Sequence, residues 1–363
     1  MAKERSGVNA TQLDANMRVQ QTQENDVVWH SPQEQPFQIS GFGWLREEAR
    51  YRRLPSKPEW TIPDAVDQLA NCTAGGQIRF LTNTGKLSLK VKLAGPANMY
   101  HMPATGQCGF DCYIDNRYCS TTRYNHQLTE YECVLFADHE RRTRLVTLNM
   151  PLYQGVEEVW IGLDPGAIVA SPPAYDNERK IVIYGTSITQ GGCAMRPGMA
   201  YPNIMSRRIN LEFVNLGFSG SGKGEPELAR LCAQIADPAC FVLDYEANCV
   251  STELLAKTLP DFVSIYREKH PLTPILIVSR ITYSHDAFNP EGARTHEERK
   301  RIQQGEVERR RQAGDGNIYF YDGDLLLGDG AEECTVDGVH PTDLGFLRMA
   351  DGLTPVLKEI VGG

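Results

Sequence analysis

Hydrophobic and polar residues follow two different rhythms along this chain. From about residue 36 to 170 the apolar positions come in short runs that alternate with polar ones. "LSLKVKL" (87–93) is the cleanest case, apolar on one side and polar on the other, as a strand with one solvated face requires. "GQIRFLT" (76–82), "GFDCYID" (109–115), "RLVTLNM" (144–150) and "EEVWIGL" (157–163) are similar, and Gly, Pro and Asn turns separate them. Short strands without long helices between them predict an antiparallel sandwich. The preceding residues, 1–35, carry little apolar content and predict a flexible N-terminal arm.

A Pro- and Gly-rich linker, "DPGAIVASPPAYDNERK" (164–180), marks the change of rhythm. Beyond it, continuous apolar runs at 181–185, 212–217, 240–246, 274–280 and 318–323 alternate with helical stretches such as "EPELARLCAQIA" and "DLGFLRMADGLTPVLKEI". That alternation predicts a parallel sheet covered by helices on both faces, with its chemistry at the carboxyl ends of the strands. The expected domains are therefore the sandwich at 36–170 and the α/β domain at 178–361.

Composition narrows the function classes. At 363 residues, with 41% hydrophobic and 23% charged residues, the chain has ample core for two soluble domains. A net charge of −9 gives no electrostatic reason to bind nucleic acid or an anionic membrane, and the basic runs at 46–53 and 309–311 are interleaved with glutamates. No apolar stretch reaches membrane-spanning length and the N-terminus lacks a signal-peptide pattern, so a cytoplasmic location is expected. Homo-oligomerisation is left open. The ten cysteines are scattered without a C-x-x-C pair, which reads as buried free thiols. The spacing of Cys108, Cys112 and Cys119 fits no common zinc pattern, and neither a metal nor a cofactor is expected.

Three stretches carry candidate chemistry. "GFSGSGKGE" (217–225) comes within one residue of a P-loop, but Gly224 stands where the magnesium-binding hydroxyl belongs. "YGTSITQG" puts Ser187 on the turn from the first parallel strand into a helix, where it can cap that helix or act as a nucleophile. "DGVHPTDLG" puts Asp337 three residues before His340, a spacing at which the carboxylate can bond one ring nitrogen while the other reaches a serine. A nucleophile after the first strand and its base before the last helix are the parts of one hydrolytic apparatus.

With "YGTSITQGGCAMRPGMAYP", "NLGFSG", an Asn after the third strand and "DGVHPTDLGFLRMA" in this order, residues 178–361 resemble the SGNH (GDSL-like) hydrolases. "RLP" (53–55) and "GFDCY" (109–113) resemble pieces of the N-terminal domain found in one subgroup. The resemblance implies a flavodoxin-like α/β domain with a five-stranded parallel sheet, preceded by a jelly-roll-like β-sandwich. It implies Ser187 as nucleophile, His340 as general base and Asp337 as its orienting partner. Its oxyanion hole would comprise the Ser187 N–H, the Gly220 N–H and the Asn248 side-chain amide. Arg196 and Tyr201 are candidate substrate contacts. Two positions depart from the family pattern: Thr186 replaces the usual Asp, and "EANC" replaces "GxND" around Asn248. The implied reaction is hydrolysis of a short-chain, acetyl-type acyl ester of a sugar or other small hydroxylated molecule. Acyl transfer by the same site is the alternative.

Overall fold

The computed structural model describes residues 26–362, together with 13–14 and 17–19. Much of the arm expected over 1–35 therefore lies outside the described residues. Its last part is not an arm, because Val28–His30 is already a strand of the sandwich.

That strand, β1, joins β9 (Val156–Leu163), β4 (Leu87–Leu93) and β7 (Glu130–Phe136) in one antiparallel sheet, in that order. The other sheet runs β10 (Val169–Ala170), β3 (Gln77–Thr82), β8 (Arg144–Asn149), β5 (Asp111–Ile114), β6 (Arg117–Thr121), and β2 (Gln38–Ser40) adds to β3. The alternation in β4 is obeyed: Leu87, Leu89, Val91 and Leu93 are buried while Lys90 is exposed. They meet Ile78, Phe80, Phe110, Leu148 and Ile161 in the sandwich core. Short helices α1 (Leu45–Glu48), α2 (Asp64–Leu69) and α3 (Ala104–Gln107) lie in the connections.

The C-terminal sheet is parallel, with strands β11 (Lys180–Gly185), β12 (Glu212–Gly217), β13 (Pro238–Asp244), β14 (Ile275–Val278) and β15 (Ile318–Tyr321) in the order β12-β11-β13-β14-β15. Its strands are mostly apolar because both faces are covered. In β11, Ile181 and Ile183 enter one core with Ile204, Met205, Phe346 and Leu353 of helices α5 (Tyr201–Ser206) and α9 (Asp343–Gly362). Val182 and Tyr184 enter the other with residues of α6 (Pro226–Gln234), α7 (Thr252–Lys269) and α8 (Pro290–Gln312). The strand order reverses on either side of β11, which puts the crevice for a ligand at its carboxyl end. The helix leaving that end is α4 (Ser187–Gln190).

The two halves are fused. Leu54, Ile62, Val66 and Ala70 belong to one α/β core, and Ala74, Met102 and Leu152 to the other. The linker is stitched down: β10 pairs with β3, Tyr175 Oη donates to Ser40 Oγ at 2.9 Å, and the Arg79 guanidinium lies 4.2 Å from the Tyr175 ring centre. Among the described residues, no helix is long and apolar enough to cross a membrane.

Candidate active site

Ser187 starts α4, and Thr186 caps that helix: its hydroxyl accepts the Ile188 N–H, and the Thr189 hydroxyl accepts the Thr186 N–H. Capping thus falls to the residue that departs from the family pattern, which leaves the Ser187 hydroxyl for chemistry. Ser187 Oγ lies 2.8 Å from His340 Nε2, and His340 Nδ1 lies 2.7 Å from Asp337 Oδ2. The other Asp337 oxygen accepts the backbone N–H groups of Val339 (3.0 Å) and His340 (2.8 Å), so the carboxylate holds its own loop as well as the ring. Burial pushes the Asp337 carboxyl up, but these bonds outweigh it and hold the group below the ordinary carboxylate range. An ionised Asp337 favours the tautomer with the proton on Nδ1, leaving Nε2 to accept from Ser187.

The glycine-rich turn packs against the same helix. Phe218 N–H donates to Gly185 O at 2.9 Å, and Ser219 N–H donates to Gln190 Oε1 at 3.1 Å. Among the described residues, neither the Ser187 N–H nor the Gly220 N–H donates to a protein acceptor. Gly220 has φ +64°, and a Cβ there would meet nothing within 4 Å; it is glycine for its left-handed backbone and not for want of space. Asn248 behaves differently from expectation. Its Nδ2 donates to Phe218 O (2.9 Å) and Gly222 O (3.0 Å), so both amide hydrogens are used to tie the turn down.

Arg196 and Tyr201 are structural ties in place of open substrate contacts. Tyr201 is fully buried and donates to Asp244 Oδ2 at 2.8 Å, which also accepts from Thr189 at 2.9 Å. Arg196 donates to Asp111 Oδ2 at 2.8 Å and lies 3.8 Å from the Tyr118 ring centre. Asp111, the aspartate of "GFDCY", also accepts from Gly198 N–H (2.8 Å) and Asn149 Nδ2 (2.7 Å), and so anchors the loop that follows the Ser187 helix. Arg53 of "RLP" is fully buried and donates to Leu69 O (2.7 Å), Cys72 O (2.8 Å) and Gly217 O. Burial lowers its pKa to about 10, so it stays charged at neutral pH.

Sequence reasoning missed residues near the triad that come from the other half of the chain. Tyr153 Oη donates to Ser187 O at 3.2 Å. His101 Nε2 stands 4.0 Å from Asp337 Oδ2, and its ring meets that of His340 edge-on at 5.9 Å. Neither sits in a local pattern; only the docking of the sandwich brings them here. All ten cysteines are free thiols, and Cys108, Cys112 and Cys119 do not join a metal-ligating group among the described residues.

Known proteins share the sequence pattern and the fold. Residues 178–358 match the model of the GDSL-like lipase/acylhydrolase family, and residues 27–169 match that of the N-terminus of SGNH-hydrolase-type esterases. A Bacteroides ovatus protein, whose crystal structure is described as that of a GDSL-like lipase, is 31% identical with a TM-score of 0.85, over 93% of this chain and 98% of that one. The salicylyl-acyltransferase SsfX3 of a tetracycline biosynthetic pathway shares the fold at 20% identity and a TM-score of 0.76, over 91% of this chain and 96% of its own. A family two carbohydrate esterase from Cellvibrio japonicus does so at 15% identity and 0.60, over 93% and 98%. No curated protein matches the chain at a significant level.

Proposed function

The chain belongs to the GDSL-like lipase/acylhydrolase family and is an SGNH-type esterase; from that premise we propose that it removes a short, acetyl-type acyl group from a sugar or other small hydroxylated molecule, with Ser187 as nucleophile. The observation that carries the assignment of roles is the unbroken chain from Ser187 Oγ through His340 to Asp337, at 2.8 and 2.7 Å.

Ser187 Oγ attacks the ester carbonyl as His340 Nε2 takes its proton, and Asp337 stabilises the imidazolium that results. The carbonyl oxygen becomes an oxyanion held by the Ser187 and Gly220 N–H groups, which need not be released from another acceptor first. Asn248 supports this hole by fixing the carbonyls on either side of Gly220. Collapse of the intermediate expels the alcohol, which takes the proton from His340 and leaves acyl-Ser187. Water then attacks that ester with His340 again as base, releasing the carboxylic acid and the free serine. The sugar reading is supported by the shared architecture with a carbohydrate esterase. The likeness to an acyltransferase keeps open a second reading, in which an alcohol or amine intercepts acyl-Ser187 in place of water.

Ser187→Ala is expected to abolish hydrolysis of p-nitrophenyl acetate with an unchanged melting temperature; retained turnover would remove Ser187 from the mechanism. A panel of acetylated sugars and p-nitrophenyl esters of increasing chain length tests the substrate class. A product ratio that shifts from acid to new ester as acceptor concentration rises would favour transfer over hydrolysis.

A further inference from the structure

Two groups beside the triad have no part in the reaction above. The His101 ring, carried by the loop before α3 in the sandwich half, has a buried Nδ1 with no hydrogen-bond partner. The Cys193 thiol, just after α4, is buried and free. With Asp337 and His340 they form a set in which one donor atom from each residue lies within 4.8 Å of all the others. Three separate segments, one of them from the sandwich, converge to make it.

We propose that His101, Cys193, Asp337 and His340 form a zinc site through which Zn2+ reversibly inhibits the enzyme. The donor set is two imidazoles, one sulfur and one carboxylate, the ligand types and number of a closed tetrahedral zinc site, and it is too soft for magnesium or calcium. Donors in such a shell stand about 3.4–3.8 Å apart, so the widest pairs have to close by about an ångström while Asp337 Oδ2 and His340 Nδ1, 2.7 Å apart, open as the metal replaces the proton between them. Tyr100, whose ring stacks on His101 at 4.6 Å, is itself exposed to solvent. A thiolate and a carboxylate would balance the two charges of the ion.

The consequence for activity follows from the ring of His340 and rests on its proposed role as the base. Its Nε2 faces Ser187 and its Nδ1 faces Asp337. A metal that engages Asp337 and His340 together therefore takes Nδ1. The Cys193 thiol gives up its proton to solvent, and the Nδ1 proton of His340 moves to Nε2. One proton is released in all, and the imidazole stays neutral. With Nε2 protonated, it can donate to Ser187 but can no longer accept its proton, so the nucleophile is not activated.

The test has a binding arm and a kinetic arm. Ser187→Ala titrated with Co2+, a coloured stand-in for zinc, is expected to bind one ion with a thiolate-to-cobalt absorption band that Zn2+ abolishes. The band should disappear in Ser187→Ala/Cys193→Ser, and its affinity should fall in Ser187→Ala/His101→Ala. Inhibition of p-nitrophenyl acetate hydrolysis by buffered Zn2+ is then measured for the unaltered protein, His101→Ala and Cys193→Ser. Each is normalised to its own chelator-treated rate, and its folding is checked by melting temperature. Loss of a ligand is expected to weaken inhibition at least about tenfold in each variant, and chelation should restore the rate. Absence of the cobalt band, or equal inhibition of all three proteins, would overturn the site. If the ester is not turned over at all, the esterase reading fails while the cobalt titration still decides whether the site exists.

Discussion

Single residues around Ser187 divide into those that need a particular backbone and those that need space. At Gly220 an added Cβ meets nothing within 4 Å, so Gly220→Ala meets only the cost of holding alanine at φ +64°, about 1–2 kcal/mol. At Gly192 an added Cβ would stand 2.8 Å from Tyr153 Oη, 3.1 Å from Ser187 O and 3.3 Å from His340 Cδ2. Gly192→Ala is therefore expected to lower kcat by 10-fold or more, since a 1 Å misplacement costs on the order of 10²-fold, while Gly220→Ala loses stability first. Steady-state kinetics and melting curves of the two variants separate these outcomes, and the reverse ranking would contradict the geometry. Ser187, Asp337 and His340 were legible in the sequence because each sits in a short local pattern. Asn248, Arg196 and Tyr201 were misread for the opposite reason: the pattern names a residue type at a loop, and only its neighbours decide whether its donors are free.

Among the elements, the carboxyl ends of the strands are held by α8 as well as by the turns. His296 of α8 lies 2.9 Å from Asp324, just after β15, and 3.6 Å from Glu246, just after β13. Burial pulls the His296 pKa down, but the hydrogen bond with Asp324 and the nearby Glu246 carboxylate outweigh it and raise it from 6.5 to about 9. The folded state then holds a proton that the unfolded chain releases between those values. Stability from this group is full below pH 6.5 and is lost as pH rises through about 9. The melting temperature of the unaltered protein is expected to fall across that window more steeply than that of His296→Gln; parallel curves would rule out the contribution. The stretch "DYE" (244–246) at the end of β13 takes part in this network through Glu246. Asp244 of the same stretch serves Tyr201 and Thr189, and burial raises its carboxyl to about 7.

For the whole molecule, the two halves share cores and polar ties, and the sandwich supports the site. Arg53 reaches from the N-terminal half to the carbonyl of Gly217, three residues before Gly220, and Asp111 holds the loop after α4 through Arg196 and Gly198. Arg53→Met would remove the donors to the buried carbonyls of Cys72 and Gly217, and a buried carbonyl left unsatisfied costs about 1–3 kcal/mol. It is expected to lower the urea midpoint clearly and kcat with it; an unchanged midpoint would show that the arginine is dispensable. With cores in common, calorimetry should record one unfolding transition for both halves.

The sequence by itself determined the two architectures and named Ser187, His340 and Asp337 as candidates for the hydrolytic chain, while the order of the strands in the parallel sheet came from the tertiary structure. Periodicity and short motifs are local, and a residue's neighbours in the chain suffice to read them. The near P-loop reading of "GFSGSGKGE" was weakened locally, by the missing hydroxyl at Gly224, and displaced by the Ser187, Asp337 and His340 motifs elsewhere in the chain. Only the tertiary structure decided that the linker is pinned, that β1 begins inside the expected arm, and that Asn248 spends its donors on the turn. It alone brought His101 and Tyr153 to the triad and explained "RLP" and "GFDCY" as anchors of the α/β half. Those facts depend on contacts between segments that are separate in the chain, from 26 residues apart for Asn248 and Gly222 to 164 for Arg53 and Gly217, where burial and hydrogen-bond satisfaction, and not local pattern, fix what each side chain does.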